Sequence, residues 1–233
     1  MKNIKFMLLS VILMLCGSNV NAQSLKIYKN DGTTITVPYS ELDRIETADN
    51  EEQPKYEYVD LGLSVKWATC NVGAEKPEQF GTYFSWGEIA PKSSYAKDNS
   101  VTHEQVMDDF SGNSKYDAAR AILGGTYRMP THMEMEELVN NCTWEWTTLN
   151  DVKGMRVTGT NGNSIFLPAA GSYFEDILSY VGEFGTYWSS TPYDEEPEYA
   201  NIGAYRLDFY GNGEYSSWWG FRILGHPIRP VLD

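Results

Sequence analysis

The most regular hydrophobic pattern in the chain lies between Gly125 and Cys142. Its apolar residues recur at the spacing of one helix face: Met135, Leu138, Val139 and Cys142. Thr131 stands before this stripe and Glu134 follows Thr131 by three residues, which is the spacing of a capping box. The pattern predicts a short amphipathic helix that begins after Thr131 and lays its apolar face on a core.

A second, shorter helix is predicted just before the first. The run Asp117-Ala-Ala-Arg-Ala-Ile-Leu is followed by Gly124-Gly125, and glycine commonly ends a helix. Residues 91–116 are polar and predict a long surface loop. Most of the remaining sequence predicts short strands separated by turns such as Asn161-Gly162: residues 56–60, 63–70, 81–86, 155–158, 165–167, 186–190, 204–209 and 219–224. Two short helices among many short strands indicate an α+β domain.

The N-terminal part of the chain predicts a small separate β module over residues 23–47. Residues 25–29 and 33–37 alternate between apolar and polar, and Asn30-Asp-Gly lies between them as a turn. Residues 48–55 are acidic without apolar periodicity, which is typical of a linker. The main domain is therefore predicted over residues 56–233.

Residues 1–22 have the pattern of a secretory signal peptide. Lys2 and Lys5 precede an apolar run at residues 6–15, and Val20-Asn-Ala ends the segment with small residues around a cleavage site. Cys16 raises the alternative of a lipoprotein. Lipid attachment normally follows a small residue, and Leu15 is not small, so soluble export to the periplasm, cell surface or medium is preferred. No run in the mature chain has the length of a membrane-spanning helix.

The charge balance argues against nucleic acid as a partner. The chain has 32 acidic and 18 basic residues, a formal net charge of −14. Phosphates and anionic membrane surfaces would be repelled by such a chain.

Cleavage at the predicted site leaves two cysteines, Cys70 and Cys142. Because an exported protein meets an oxidising compartment, we expect these two to form a disulfide. Two buried free thiols are the alternative, since free cysteine is a common core residue.

The residues that carry catalysis or bind metal show no recognisable pattern. His103, His132 and His226 lie in unrelated contexts, and the sequence contains neither a Gly-x-Ser-x-Gly elbow nor a His-Glu-x-x-His motif. The acidic run at residues 194–198 could supply oxygen ligands to a cation, but a solvated loop is the preferred interpretation. We predict no catalytic residues, no metal and no cofactor.

A series of motifs occurs in one order from about Tyr56 to the C-terminus. Together they resemble the domain family named for the major paralogues of Fibrobacter succinogenes: Tyr58-Val-Asp-Leu-Gly-Leu-Ser-Val-Lys-Trp-Ala-Thr-Cys-Asn-Val-Gly, Phe84-Ser-Trp-Gly-Glu, Asp117-Ala-Ala, Arg128-Met-Pro-Thr, Asn141-Cys-Thr-Trp, Gly162-Asn-Ser-Ile-Phe-Leu-Pro-Ala-Ala-Gly, Tyr187-Trp-Ser-Ser and Ile228-Arg-Pro-Val. The resemblance implies an exported or surface domain with a C-type-lectin-like fold and brings little established function with it.

The segment Arg128-Met-Pro-Thr and its acidic helix also resemble formylglycine-generating-enzyme-like domains. Those enzymes use a late pair of cysteines, and this chain has none after Cys142. The resemblance therefore does not carry that sulfatase-modifying activity to this chain.

Aromatic residues give the strongest indication of a binding site. Trp67, Trp86, Trp144 and Trp188 lie within the family-like motifs and are predicted core residues. In C-type-lectin-like folds the long loops of the second half form the recognition face, and here the corresponding segments are residues 173–184, 192–201 and 210–219. The predicted ligand-binding residues are Tyr193, Glu195, Glu198, Tyr199, Asn201, Asn212, Tyr215, Trp218 and Trp219.

These features predict a non-enzymatic module that binds a glycan or a protein outside the cell. A structural subunit of a surface assembly, with residues 24–47 as its assembly element, is the alternative.

Overall fold

The computed structural model describes residues 24–28, 33–38 and 56–232. Contacts within the chain define two compact units, residues 1–50 and 51–233. The predicted signal peptide, Cys16 and the predicted linker lie outside the described residues.

The first unit contains a β-hairpin. Strand β1 (Ser24–Tyr28) pairs antiparallel with β2 (Thr34–Pro38), and the register joins Ser24 to Pro38 and Tyr28 to Thr34. The hairpin predicted from the alternating residues is confirmed.

The two helices of the second unit are α1 (Ala118–Leu123) and α2 (His132–Asn141). The Asp117 side chain caps α1 by accepting a hydrogen bond from the Arg120 backbone N–H at 2.9 Å. Thr131 and Glu134 form the predicted capping box at the start of α2. Both helices, the capping box of α2 and the end of α1 at Gly124 are confirmed, whereas the Asp117 cap was not predicted.

The strands of the second unit are short, and every pairing between them is antiparallel: β3 (Tyr58–Val59), β4 (Lys66–Ala68), β5 (Thr143–Leu149), β6 (Val152–Thr158), β7 (Ser164–Pro168), β8 (Ser172–Phe174), β9 (Ile177–Ser179), β10 (Phe184–Pro192), β11 (Gly203–Tyr210), β12 (Tyr215–Phe221) and β13 (Val231–Leu232). They form three-stranded sheets in the orders β10-β11-β12, β13-β4-β3 and β5-β6-β7, and the hairpin β8-β9. Small antiparallel sheets with two helices confirm the α+β prediction.

The strand predictions differ from the structure in several places, and β8, β9 and β13 were not predicted. Residues 81–86 form only an isolated bridge between Phe84 and His226. Strand β5 was not predicted. Asn150 and Asp151, which follow it, form a tight hairpin turn in which both residues have positive φ. Strand β12 begins at Tyr215, four residues earlier than predicted, because its large residues occupy both faces and obscure the alternation.

The hydrophobic core consists of two clusters. One surrounds Trp86 and Trp188, and the other surrounds Trp67 and Tyr187 and receives Met135 and Leu138 from α2. Trp67, Trp86 and Trp188 are fully buried, while Trp144 is half-buried against the second cluster. The predicted core role of these four tryptophans is confirmed.

The predicted disulfide between Cys70 and Cys142 is wrong, since both are free thiols. Cys70 is buried in the cluster around Trp86, whereas Cys142 packs against the cluster around Trp67. The two side chains therefore pack in different clusters of the core. Burial raises the pKa of the Cys142 thiol to about 11, so it stays protonated at neutral pH.

Two buried arginines tie loops to the core through backbone carbonyl groups. Arg229 donates to the Ala68, Thr69 and Phe166 carbonyl oxygens at 2.9–3.0 Å and to Asn71 Oδ1 at 2.8 Å.

Arg222 donates to four carbonyl oxygens at 2.8–3.2 Å: Thr102, Gln105, Ala200 and Gly203. Its guanidinium carbon also lies 4.3 Å from the centre of a Trp86 ring. Arg222 therefore fixes residues 200–203, at the start of β11, against the loop at residues 102–105.

No helix within the described residues is long and apolar enough to cross a membrane.

Candidate ligand-binding site

The nine residues predicted to bind a ligand do not form one site. Five belong to one end of strands β11 and β12 or to the loop before β11: Tyr193, Glu195, Glu198, Tyr199 and Trp219. Tyr215 lies on Trp144, with ring centres 4.7 Å apart, and Trp218 is on the opposite face of β12. Asn212 lies in the turn between β11 and β12, and exposed Asn201 contributes its carbonyl to a hydrogen bond from the Glu104 N–H.

The first group is part of what we call the aromatic cluster: Tyr193, Tyr199, Tyr205, Trp219 and Phe221. Trp219 stacks between two tyrosines, with ring centres 4.9 Å from Tyr193 and 4.6 Å from Tyr199. Tyr193 is only 4% exposed, so its ring does not lie in an open loop. Tyr205 is buried as well, whereas Phe221 at the outside of the cluster is 42% exposed.

Carboxylates of the loop at residues 194–198 hold the hydroxyls of this cluster. Tyr205 donates to Glu195 at 2.7 Å, and Tyr193 donates to Glu196 at 3.0 Å. Burial and the neighbouring Glu196 raise the pKa of Tyr193 to about 12. The phenol therefore remains a hydrogen-bond donor, and the predicted contact Glu195 is already used within the protein.

His132 joins α2 to this end of the sheet. Its ring stacks on Tyr205 with centres 3.7 Å apart, and its Nδ1 lies 2.9 Å from the Ser217 hydroxyl. Its Nε2 lies 3.6 Å from a Glu136 oxygen, one turn further along the same helix. With both ring nitrogens and one ring face engaged, His132 packs the helix against β11 and β12.

A different site lies where β10 begins and β11 ends. There a groove of about 790 Å³, which we call the aromatic groove, is lined by four aromatic side chains: Trp146, Tyr180, Phe184 and Tyr210. Polar side chains lie among these rings: Lys153, Glu183, Arg206 and Asn212. Aromatic walls with a few polar groups are typical of a small-molecule or saccharide site.

Two rings of the aromatic groove are accessible, whereas Tyr193 and Tyr205 of the aromatic cluster are buried. Tyr180 is 65% exposed and Tyr210 is 42% exposed. Tyr210 is supported from behind by buried Phe184, with ring centres 4.7 Å apart. The groove thus presents free ring faces on a packed base.

Backbone hydrogen bonds hold the two sides of the groove together. The Gly211 N–H donates to the Glu183 carbonyl at 3.0 Å, which joins the β11–β12 turn to the turn before β10. A side chain at residue 211 would begin 3.2 Å from the Trp146 ring, so glycine allows this turn to approach β5 closely. The groove is therefore preformed by β5, β10 and β11 with their turns.

A group of polar residues lies beneath the groove on the same face of the sheet: Thr186, Arg206, Asp208 and His226, here called the polar cluster. Asp208 Oδ2 accepts a hydrogen bond from Arg206 Nε at 3.1 Å and forms an ion pair with Arg206 Nη2 at 3.0 Å. Arg206 Nη1 lies 3.3 Å from His226 Nε2. Burial raises the pKa of the Asp208 carboxyl, and the Arg206 charge opposes that rise.

The second oxygen of Asp208, the Thr186 hydroxyl and His226 Nδ1 are buried without a hydrogen bond of standard geometry. The neighbouring Thr186 hydroxyl and Gly225 carbonyl still affect the pKa values of Asp208 and His226 respectively. We interpret the Thr186 hydroxyl and the Gly225 carbonyl as groups that lie near Asp208 and His226 respectively but are poorly aligned for hydrogen bonding. This cluster is costly to bury, which is unusual away from a functional site.

His226 gives the protein a predictable acid sensitivity. Complete burial and the nearby Arg206 charge lower its pKa well below the ordinary value of 6.5. Below pH 6.5 the histidine of the unfolded chain binds a proton that the buried His226 excludes, so the free energy of unfolding falls as the pH falls. We expect His226 to account for about 1.4 kcal/mol of unfolding free energy per pH unit below about pH 6.

Urea denaturation of the parent and of His226→Gln between about pH 7 and pH 5 measures this contribution. The substitution should reduce the slope of stability against pH, whatever it does to stability at pH 7. Burial also lowers the pKa values of His103 and His132, so some slope should remain in the variant. Equal slopes in the two proteins would contradict the prediction.

Comparison of the chain with protein-family models, curated proteins and solved structures gives no match. Among the described residues, no group of three or more histidine, cysteine or acidic side chains could hold a metal ion. The function must therefore be inferred from the side chains of the chain itself.

The recognition segments predicted from the sequence overlap the aromatic groove, but most of the predicted residues do not line it. Two of the three predicted recognition segments, residues 173–184 and 210–219, do border it. Of the nine predicted residues, only Asn212 lines it. Tyr180 and Tyr210 lie close to turn glycines within those segments, and this pattern in the sequence could have identified them as accessible rings.

Proposed function

We propose that this chain is an exported, non-enzymatic module with a C-type-lectin-like fold, and that it binds a glycan in the aromatic groove. The observation that carries the proposal is the pair of accessible tyrosines at the groove, Tyr180 and Tyr210. The polarised C–H faces of a sugar pack well on the electron-rich face of an aromatic ring. Export rests on the signal-peptide pattern of residues 1–22, and the fold rests on the ordered motifs.

The polar side chains of the groove suit the hydroxyl groups of a sugar. Lys153 and Glu183 are exposed and can donate and accept hydrogen bonds respectively. Asn212 can do both, although its Oδ1 already accepts from the Glu214 N–H at 3.0 Å. The groove therefore combines ring stacking with donors and acceptors around it, which favours a saccharide over a purely apolar ligand.

The proposal is tested by screening the exported protein on a glycan array and titrating the best ligand into two alanine variants. Tyr210→Ala removes an accessible ring from the groove, and we expect it to weaken binding by about 2 kcal/mol, roughly 30-fold. Phe221→Ala is the matched control, because Phe221 is also 42% exposed but belongs to the aromatic cluster. It should bind like the parent.

Both variants should keep the thermal unfolding midpoint within a few degrees of the parent, since both side chains are substantially exposed. Loss of binding in Phe221→Ala with normal binding in Tyr210→Ala would move the site to the aromatic cluster. Capture of a protein instead of any glycan would contradict the proposed ligand class.

A further inference from the structure

We infer that the aromatic groove selects an acidic saccharide, whose carboxylate meets the Arg206 guanidinium while its sugar rings pack on the exposed tyrosines. This inference rests on the proposed glycan-binding function and assigns the chemical class of the ligand. It follows from how Arg206 is held, from its unused donors and from the charges around it.

Arg206 is held in one orientation by contacts on several sides. Asp208 pairs with two of its nitrogens, and His226 lies within hydrogen-bond distance of the third. Arginine can only donate, so His226 Nε2 must accept and the imidazole must be neutral. Gly220 leaves the space for this arrangement, because a side chain there would begin 2.5 Å from Arg206 Nη1.

Arg206 keeps hydrogen-bonding capacity for a ligand. A guanidinium group has five N–H donors. Two are directed to Asp208 and one to His226, which leaves two, and the side chain lines the groove with 16% of its surface exposed. A guanidinium that is already oriented loses little freedom when it binds a carboxylate.

The polar lining of the groove favours an anionic, acceptor-rich ligand. Two cations line it, Lys153 and Arg206, against one carboxylate, Glu183. Asp208 offsets much of the Arg206 charge, but its side chain is only 4% exposed and lies beneath the groove. In a chain with 32 acidic and 18 basic residues, this groove therefore lacks the excess of acidic residues found in the chain as a whole. A carboxylate accepts hydrogen bonds without donating any, so it matches this lining better than a neutral sugar does.

The decisive experiment compares uronate- and sialate-containing oligosaccharides with the same compounds after reduction of their carboxylates to alcohols. Calorimetric titration should show that the parent binds the best acidic compound at least about tenfold more tightly than its reduced form. Arg206→Gln should remove most of that preference, with the remainder due to Lys153, and leave the affinity for the reduced form largely unchanged. Arg206→Lys should recover only part of it, because lysine lacks the planar pair of donors.

Two further variants keep the result interpretable. Lys153→Gln removes an exposed cation and should weaken the acidic compound a few-fold even if Arg206→Gln folds poorly. Arg156→Gln is the control on the same strand, since Arg156 is exposed, pairs with Glu145 at 3.0 Å and lies outside the groove lining. It should leave both affinities unchanged.

The outcomes separate this inference from the proposal on which it rests. If the acidic and reduced compounds bind equally, or if only neutral glycans bind, the acidic class is wrong while glycan binding stands. If Arg206→Gln and Lys153→Gln both keep the preference for the acidic compound, the assignment to this groove is wrong. If no glycan binds the parent, the proposed function itself fails.

Discussion

Replacing Arg229 with methionine should lower the free energy of unfolding by about 3–5 kcal/mol. Arg229 is 1% exposed and satisfies three backbone carbonyls and the Asn71 side chain. Methionine fills a similar length but donates no hydrogen bond, so these acceptors would be buried without partners. Since the acceptors belong to β4, the segment after it and β7, the loss should affect the whole domain.

Arg156→Met provides the comparison for Arg229→Met in urea denaturation followed by tryptophan fluorescence. Arg156 is an exposed arginine whose ion pair with Glu145 faces solvent, so its loss should cost less than about 1 kcal/mol. A similar small effect from both substitutions would show that Arg229 does not anchor the fold. If Arg229→Met folds only at low temperature, the loss of unfolding free energy lies at the upper end of the expected range.

Trp188→Ala should cost about 3–5 kcal/mol, an effect comparable with that of Arg229→Met. Trp188 is fully buried in β10, its indole N–H donates to the Phe84 carbonyl at 2.9 Å, and its ring lies 4.3 Å from that of His226. Alanine would leave a large cavity and remove one of the two hydrogen bonds that the Phe84 carbonyl accepts, since the His226 N–H also donates to it at 3.1 Å. It would also remove one wall around the polar cluster beneath the groove.

The matched control is Trp218→Ala, because Trp218 is 61% exposed on the edge strand β12. Its loss should change the free energy of unfolding by less than about 1 kcal/mol. Equal destabilisation by the two alanine variants, measured as urea midpoints at constant slope, would contradict the assignment of Trp188 to the core.

The helices and turns could be predicted from the sequence because their determinants are local. Thr131 and Glu134 cap α2 from within four residues, and Asp117 caps α1 in the same way. The turn at Asn161-Gly162 likewise depends on the residues that form it, since Gly162 has a φ of 85°. Such signals need no knowledge of the tertiary fold.

The candidate site could not be predicted in the same way because distant strands assemble it. Trp146 comes from β5, Tyr180 from a turn, and Arg206 and Tyr210 from β11. Only the pairing of Phe184 with Tyr210 and the approach of Gly211 to Trp146 bring them together. No spacing within one segment records these contacts.

The aromatic cluster shows why composition alone does not locate a binding site. Tyr193, Tyr199 and Trp219 lie among small polar and acidic residues, as aromatic residues on binding surfaces often do. In the structure they stack on one another, and loop carboxylates accept hydrogen bonds from the cluster hydroxyls. The sequence alone does not distinguish rings that await a ligand from rings that contact each other.

The central claim, glycan binding in the aromatic groove, is tested most directly by locating the ligand with indole N–H signals in nitrogen-15 NMR. The chain has seven tryptophans, of which Trp146 lines the groove while Trp219 belongs to the aromatic cluster and Trp218 lies outside the groove lining. Each signal can be assigned by replacing one of these tryptophans with phenylalanine. On titration with the best glycan, the Trp146 signal should shift most, while that of Trp219, on the other face of the sheet, stays nearly constant. A saturable shift of Trp219 with an unchanged Trp146 signal would contradict the account.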